Sequence, residues 1–490
     1  MDNNNNNIET NEYFEIRKGK LADLRKCCIP YADKFERSCT LADAINLTED
    51  RHVSLCGRIV SKRIFGKFMF MKLWDISGIF QVSFSFNDFG EEAYKLLKTH
   101  VEVGDFIGAE GVVYRTKTGE LTLKVKSYKF LSKALRPLPE KFHGLNNIDT
   151  RYRQRYLDLI SNEETRDVFV KRSKTIQFIR RFLTDNDFLE VETPILQSVA
   201  SGAAARPFIT RHNVLDIELY MRIAPELYLK QAVAGGFDRV FEIGKNFRNE
   251  GMDASHLQEF TMLEWYAAYW DYNDNIDFIK KLFHSLLDDV YGSRVVEFDG
   301  HSLDFGTEWE KINYCEAVSY LIKSNILDYT DLNKLKEVIK KYDLLSQSDL
   351  DKSASIPALI DLLYKQRIRP HIIQPTILYN YPACLIPLAR RNDEDNRIID
   401  MFQLVVCGWE VVKAYSELVD PETQRTNFIE QAKNKSDGDD EAFEVDNDFL
   451  LAMEHGMPPM SGLGIGIDRL VAILCNQPTL RDVVLFPMMR

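Results

Sequence analysis

RVFEIGKNFRNEGMDASHLQEFTMLEWYAAYW, residues 239–270, places two apolar runs on either side of a polar loop. The runs Arg239–Phe247 and Glu259–Trp270 read as strands, and the loop between them carries FRNEG, with a glycine at its turn. Arg248 ends the first strand, where a guanidinium can offer a fixed two-pronged donor to a phosphate. Phe260 stands on the opposing strand, where its ring can stack a purine. An arginine–glutamate pair at a hairpin is also a common surface ion pair, so this stretch alone leaves function open.

Upstream, Asp167 to Asn186 carries an apolar stripe at Val168, Ile176, Ile179 and Phe182, which predicts a long helix. FLEVETPIL (188–196) follows as a strand. Downstream, residues 308–350 read as a polar helical insertion, extending to about 370. KNKSDGDDEAFEVD (433–446) reads as an exposed acidic loop. A long helix, consecutive strands and a late helix, without regular βα alternation, favour an antiparallel sheet flanked by helices.

The N-terminal third has a different period. Residues 52–60, 67–75, 78–86, 106–114 and 121–131 are short strands separated by glycine-containing turns, as in an OB-like closed barrel. Residues 13–28 predict an amphipathic helix before it, and residues 1–12 an Asn-rich disordered tail. RPLPEKFHGLNN breaks regular structure and marks a boundary near 137–150, giving units over 13–145 and 146–490. The fold class is therefore α+β: an OB barrel followed by an antiparallel sheet with helices.

Composition narrows the function classes. A chain of 490 residues calls for more than one domain. No apolar run approaches the ~20 residues of a membrane span, and the N-terminus carries no apolar leader, so a cytoplasmic protein without membrane association is expected. The net charge of −12 argues against indiscriminate nucleic-acid binding, while leaving room for a local basic run from Lys124 to Arg136. Its eight cysteines are scattered, with no CxxC pair, and are assigned neither metal nor disulfide. The chain has no GxxxxGK[ST], and Ile467 stands where GLGIGID would need its third glycine for a dinucleotide fingerprint, so a nucleotide site must be of another kind.

Two further patterns carry chemistry. In SGLGIGIDRL (461–470), glycines at alternate positions leave a strand face bare for close approach of a ligand or a backbone, and Arg469 opens what reads as the final helix, near its positive end. Glu226, Glu264 and Glu417 lie in otherwise apolar segments, where burial demands partners. Arginines are the usual answer; with Tyr266 nearby, a cage for a cationic ligand is the other. The residues alone do not choose between them.

These segments resemble the three signature motifs of class II aminoacyl-tRNA synthetases: FLEVETPIL with Pro194, FRNEG with EFTMLEWY, and GLGIGIDRL. RYRQRYLDLI, GAAARPFIT, MRIAPELYLK, PLARRND, AYSELVDP and RDVVLFP are similar to the lysyl members of that class. The resemblance implies that ATP binds through Arg248, Glu250, His256, Phe260 and Arg469, with Arg248 and Arg469 acting on the phosphates. It implies that Gly202 and Glu226 receive the α-ammonium of L-lysine, and that Glu264, Tyr266 and Glu417 surround its ε-ammonium. Arg63, Phe70, Gln81 and Glu120 would read the anticodon of tRNA(Lys). Mg²⁺ is implied with ATP, and homodimerisation through the first motif.

Two positions depart from the family pattern. Lys413 stands where asparagine is usual, near the substrate carboxylate. Gln403 replaces one of two metal-ligating acids, the other being Glu410. The alternatives are an asparaginyl or aspartyl enzyme and a non-catalytic nucleic-acid-binding paralogue. A site for an acidic side chain should present Arg or Lys where this chain has Glu264 and Glu417.

Overall fold

The computed structural model describes residues 2–139, 145, 147–200, 202–203, 205–436 and 445–489. The chain divides into two compact units, Met1–Asn146 and Asn147–Arg490.

In the first unit, β1 (His52–Phe65), β2 (Phe68–Asp75), β3 (Gly78–Ser85), β4 (Phe106–Arg115) and β5 (Leu121–Ser132) close a barrel in the order β1-β2-β3-β5-β4. Met69, Met71 and Leu73 of β2 enter the core, while Phe70 and Lys72 between them face outward. The helix Phe86–His100, between β3 and β4, was not expected from sequence. Tyr94 and Leu97 are its buried residues, Phe86, Phe89 and Leu96 pack against the barrel core beside them, and its backbone breaks at Gly90.

The N-terminal helix runs Asp2–Cys27, beginning before Tyr13 because the Asn-rich tract holds neither Pro nor Gly to interrupt it. The basic run is not one cationic surface. Lys124 and Lys126 pair with Asp88 at 3.5 and 2.7 Å, and Lys133 is buried against Glu102 and Asp105 at 2.7 and 3.0 Å.

The second unit is built on an eight-stranded sheet. Its strands are β6 (Leu189–Glu190), β10 (Arg239–Phe247), β11 (Glu259–Ala268), β14 (Glu310–Asn313), β15 (Thr376–Pro382), β16 (Ile398–Val406), β17 (Trp409–Ser416) and β18 (Met460–Gly466). Between these in sequence lie a small sheet of β7 (Leu196–Gln197), β8 (Ile209–His212) and β9 (Ile217–Met221), and the hairpin β12 (Val295–Phe298) with β13 (His301–Asp304). The large sheet runs β14-β15-β16-β17-β18-β11-β10-β6. Its centre is antiparallel as expected, with parallel pairs only at the two edges. The late strand β18 inserts between β17 and β11, which brings the SGLGIG glycines against EFTMLEWY.

One sheet face packs the helices Glu163–Asp185, Tyr272–Leu286 and Ile467–Leu474 around Phe241, Trp265 and Phe283. The buried Trp265 indole donates to Asn275 at 2.8 Å, which in turn donates to Ser461 at 2.7 Å, so no polar group there is left wanting.

Three expectations need correction. FLEVETPIL contributes only Leu189–Glu190 and, in the small sheet, part of β7. Thr193 turns its N–H and hydroxyl to Glu242, and Pro194 has no N–H to give, so the ladder stops. The insertion opens with the edge strand β14 before its helices Tyr314–Ile322, Leu332–Lys341, Gln347–Lys352 and Ile356–Arg367, because four residues of alternation are too few to read. The start of the supposed acidic loop belongs to the helix Pro421–Ser436, and residues 437–444 lie outside the described residues.

Candidate active site

The period of two along β11 sends Leu263, Trp265 and Ala267 into the core and Phe260, Met262, Glu264 and Tyr266 to the opposite face. On that face, cross-strand pairing sets Glu242, Glu264, Gly464, Lys413 and Gln403 in one row, from β10 through β11, β18 and β17 to β16. Tyr266, Gly462 and Tyr415 form the next row. Gly462, Gly464 and Gly466 leave the middle strand bare, and a cavity of about 350 Å³ stands over it.

The glycines have different reasons. A Cβ on Gly462 would overlap both the Tyr266 ring and Glu417 Oε1. At Gly464 nothing lies nearer than 3.8 Å. Gly462→Ala must therefore push both side chains aside, and is expected to destabilise the protein by about 1–3 kcal/mol. Gly464→Ala should unfold at the wild-type temperature and lose lysine affinity, since the added methyl enters the cavity. Thermal melts with amino-acid KM measurements separate the two; equal melting temperatures for both variants would contradict this assignment.

At one end of the cavity lie the three carboxylates and a residue to which sequence reading gave no role. Lys230, buried in the helix Glu226–Ala234, holds its ammonium 2.7 Å from Glu226 Oε1 and 2.5 Å from Glu417 Oε2. The i,i+4 spacing from Glu226 was its only sequence signal. Tyr415 donates to Glu226 Oε1 at 2.6 Å, and Tyr266 to Glu264 Oε2 at 3.2 Å. Gly202, at φ +89°, lies against Glu226: a Cβ there would stand 3.5 Å from that of Glu226.

Glu417 is thus drawn close to Tyr266 as expected, but it already has a protein cation, and so does Glu226. Glu264 forms no ion pair among the described residues. Burial, reinforced by Glu226, pushes it up to about 8. Burial also raises Glu417, with Lys230 opposing. Two of the three carboxylates share one ammonium and Glu264 has no ion pair, so the fully ionised cluster is two paired positive charges short. Lysine carries two ammonium groups. Removing Lys230 leaves the acids unpaired: Lys230→Met is expected to cost about 3–5 kcal/mol at pH 8. The cost should shrink at pH 6, where Glu264 and Glu417 take up protons. Denaturant titrations at the two pH values check this, and a pH-independent loss would contradict it.

The other end of the cavity gathers the nucleotide candidates. The Arg248 guanidinium lies 5.1 Å over the Phe260 ring. Arg469, third residue of the helix Ile467–Leu474 and not of the chain's last helix, Leu480–Val483, donates to the backbone oxygens of Glu410 and Ser255 at 2.9 and 3.3 Å. Its Nη2 is 3.0 Å from His256 Nε2, while His256 Nδ1 faces Asp253 at 2.9 Å. Glu250 accepts from the Arg206 N–H at 3.4 Å. The helix is pinned through Asp468, which takes the Thr261 N–H at 2.8 Å and pairs with Arg172 at 2.6 Å. All five predicted nucleotide residues line the one cavity.

The side chains at the two expected metal positions do not suit a resident ion. Gln403 Oε1 accepts the Tyr381 hydroxyl at 2.7 Å, and Glu410 pairs with Arg369 at 3.3 Å. Lys413 stands directly across from Gln403. Among the described residues no three His, Cys, Asp or Glu side chains gather to hold an ion. One carboxylate flanked by two cations is a poor donor set for a resident divalent metal.

On the barrel, Arg63, Phe70, Gln81 and Glu120 all lie on the outer surface. Phe70 pairs with Arg63 across β1–β2 and has Phe65 edge-on at 6.2 Å. Gln81 donates to Thr122 Oγ1 at 2.9 Å, and Lys72, opposite Gln81, pairs with Glu120 at 3.5 Å. A half-buried aromatic beside an exposed arginine is a stacking platform for single-stranded bases.

The family model described as tRNA synthetases class II (D, K and N) matches residues 147–490, and that of the OB-fold nucleic acid binding domain matches 53–131. The lysine–tRNA ligase of Erwinia tasmaniensis is 43% identical over 99% of this chain and 97% of its own length. That of Pelotomaculum thermopropionicum is 44% identical over 98% of this chain and 96% of its own. That of Pectobacterium carotovorum subsp. carotovorum is 44% identical, with 98% and 97% covered. With that similarity running through both units, the chain belongs to the lysine–tRNA ligases, within the class II aminoacyl-tRNA synthetases.

Proposed function

We propose that the cavity binds L-lysine and ATP side by side, joins them as lysyl-adenylate, and passes the lysyl group to the 3′ end of tRNA(Lys). The observation that carries this reading is the charge shortfall at the acid end of the cavity: three buried carboxylates, of which Glu226 and Glu417 share the Lys230 ammonium and Glu264 has no ion pair among the described residues. Glu226, beside Gly202, takes the α-ammonium. Glu264 with Tyr266 takes the ε-ammonium, and Glu417 acts from behind Lys230. An amino acid with one ammonium leaves a buried acid unmet, which is a strong basis for rejection.

ATP enters with Mg²⁺ as its counter-ion. Phe260 stacks the adenine once Arg248 swings from its ring to the α-phosphate, and Glu250 meets the adenine amino group. His256 and Arg469 hold the distal phosphates. No side chain needs to act as a general base, because the nucleophile is already a carboxylate. Orientation and charge neutralisation supply the rate. Arg63, Phe70, Gln81 and Glu120 hold the anticodon by stacking and edge contacts.

A homodimer in the cytoplasm completes the reading. It rests on the first-motif resemblance for the dimer. No helix among the described residues is long and apolar enough to cross a membrane.

Amino-acid-dependent ATP–pyrophosphate exchange tests the assignment directly. Exchange with lysine alone among the twenty amino acids, followed by charging of tRNA(Lys), is the expected result. Exchange driven by asparagine or aspartate would overturn it.

A further inference from the structure

Lys413 is the unexplained charge in the cavity. It lies across β16–β17 from Gln403 and across β17–β18 from Gly464, so the next side chain along its row is Glu264. It lines the cavity, yet its ammonium makes no hydrogen bond or ion pair with any described residue. Burial opposes its charged form, Glu226 and Glu410 favour it only from beyond ion-pair distance, and an anion arriving beside it offsets the remaining cost. The two anionic groups of the proposed substrates that meet in the middle of this cavity are the carboxylate of lysine and the α-phosphate of ATP. The neighbouring positions are at the same time unsuited to a metal: Gln403 is neutral and held by Tyr381, and Glu410 is paired with Arg369.

We propose that Lys413 is a catalytic residue of adenylate formation, its ammonium bridging the lysine carboxylate and the α-phosphate and supplying the charge that a metal ion shared by residues 403 and 410 would otherwise bring. This deepens the reading above and rests on it. In the step, a carboxylate oxygen forms a bond to the α-phosphorus as the bond to the β-bridging oxygen breaks, and the electron pair leaves with pyrophosphate. No proton moves, and Lys413 keeps its own throughout. The ammonium offsets the mutual repulsion of two anions on approach, then the charge spread over the α-phosphate in the transition state. The enzyme then needs only the divalent ion that ATP itself carries.

The test uses the full chain with Mn²⁺, lysine and α,β-methylene-ATP. Electron paramagnetic resonance titration should count a single Mn²⁺ per site in the wild type and an additional one in the double variant Lys413→Asn/Gln403→Glu. In pyrophosphate exchange, Lys413→Met should be about 10²-fold slower at saturating substrates. Its KM for ATP and lysine and its melting temperature should stay close to wild type. Lys413→Arg should recover most of the rate. A second Mn²⁺ in the wild type, or a Lys413→Met rate within a factor of about two of it, would overturn the proposal. Wild type that fails to exchange with lysine at any Mg²⁺ concentration overturns the reading of the whole site; wild type that exchanges while holding an extra ion overturns Lys413 alone.

Discussion

Glu264→Gln should raise the KM for lysine by about 10²–10³-fold while leaving the KM for ATP nearly unchanged. Among the described residues, Glu264 is the member of the acid cluster without an ion pair, and it accepts from the Tyr266 hydroxyl. An amide of the same shape keeps that hydrogen bond and removes the charge, so the effect isolates the electrostatic part of recognition. Steady-state exchange kinetics read it. A change shared equally between lysine and ATP would mean that the residue supports the fold and not the amino acid.

The same carboxyl sets a pH signature. In the empty cavity it sits at about 8, above the ordinary value of 4.5, chiefly through burial and secondarily through Glu226. An acid raised in this way holds more protons folded than unfolded between those values, so ligand-free stability falls as pH rises through that window. Lysine binds the ionised form. Its ammonium relieves the penalty, and below pH 8 binding must first expel a proton. The rise in melting temperature produced by saturating lysine should therefore be larger at pH 8 than at pH 6, and most of that difference should vanish in the Glu264→Gln variant. Isothermal titration in buffers of different ionisation enthalpy should show net proton release on binding near pH 7. A pH-independent lysine shift with no proton release would rule out Glu264 as the charged partner.

Arg469→Ala should lower the exchange rate by about 10³-fold, and Arg248→Ala by a similar factor, with little change in the KM for lysine. Arg469 is placed by two backbone oxygens and by a helix pinned through Asp468, so its guanidinium is fixed before ATP arrives. A preplaced cation at a phosphate acts mainly in the transition state, and its removal should appear in kcat. Arg248 rests on Phe260 in the absence of ATP and must give up that contact, so its variant should also raise the KM for ATP. Single-turnover adenylate formation separates the two; a pure KM effect at Arg469 would reassign it to binding.

Much of this was legible in the chain. The five barrel strands show clean alternation, and the FRNEG hairpin and the glycine ladder of β18 carry their geometry in their spacing. What alternation cannot report is which strands become neighbours. The pairing of β18 with β11 and β17 brought Gly462 under Tyr266 and Glu417, and no local pattern announced it. The same limit hid Lys230, which looks like an ordinary helical lysine paired with Glu226 until the fold brings Glu417 to it from a distant segment. The partner of Gln403 was hidden for a related reason: Tyr381 lies across β15–β16, where the register shifts through a bulge. The helix Phe86–His100 was missed although Phe86, Phe89, Tyr94 and Leu97 give it an apolar face, because its start continues the apolar run of β3 and its backbone breaks at Gly90.

Glu264 and Lys413 stand on β11 and β17, with only the bare Gly464 of β18 between them. Hydrogen-bonded strands hold an interval of about 4.8 Å, so the gap between these two anchors is set by backbone pitch and by no side chain. The sheet thus behaves as a caliper whose jaws stand on a base that side-chain mutation cannot widen. A diamino acid one methylene shorter spans less than the opening and can satisfy one jaw at a time. Redesigning the enzyme for such a substrate would mean lengthening a jaw, because the distance between them belongs to the sheet.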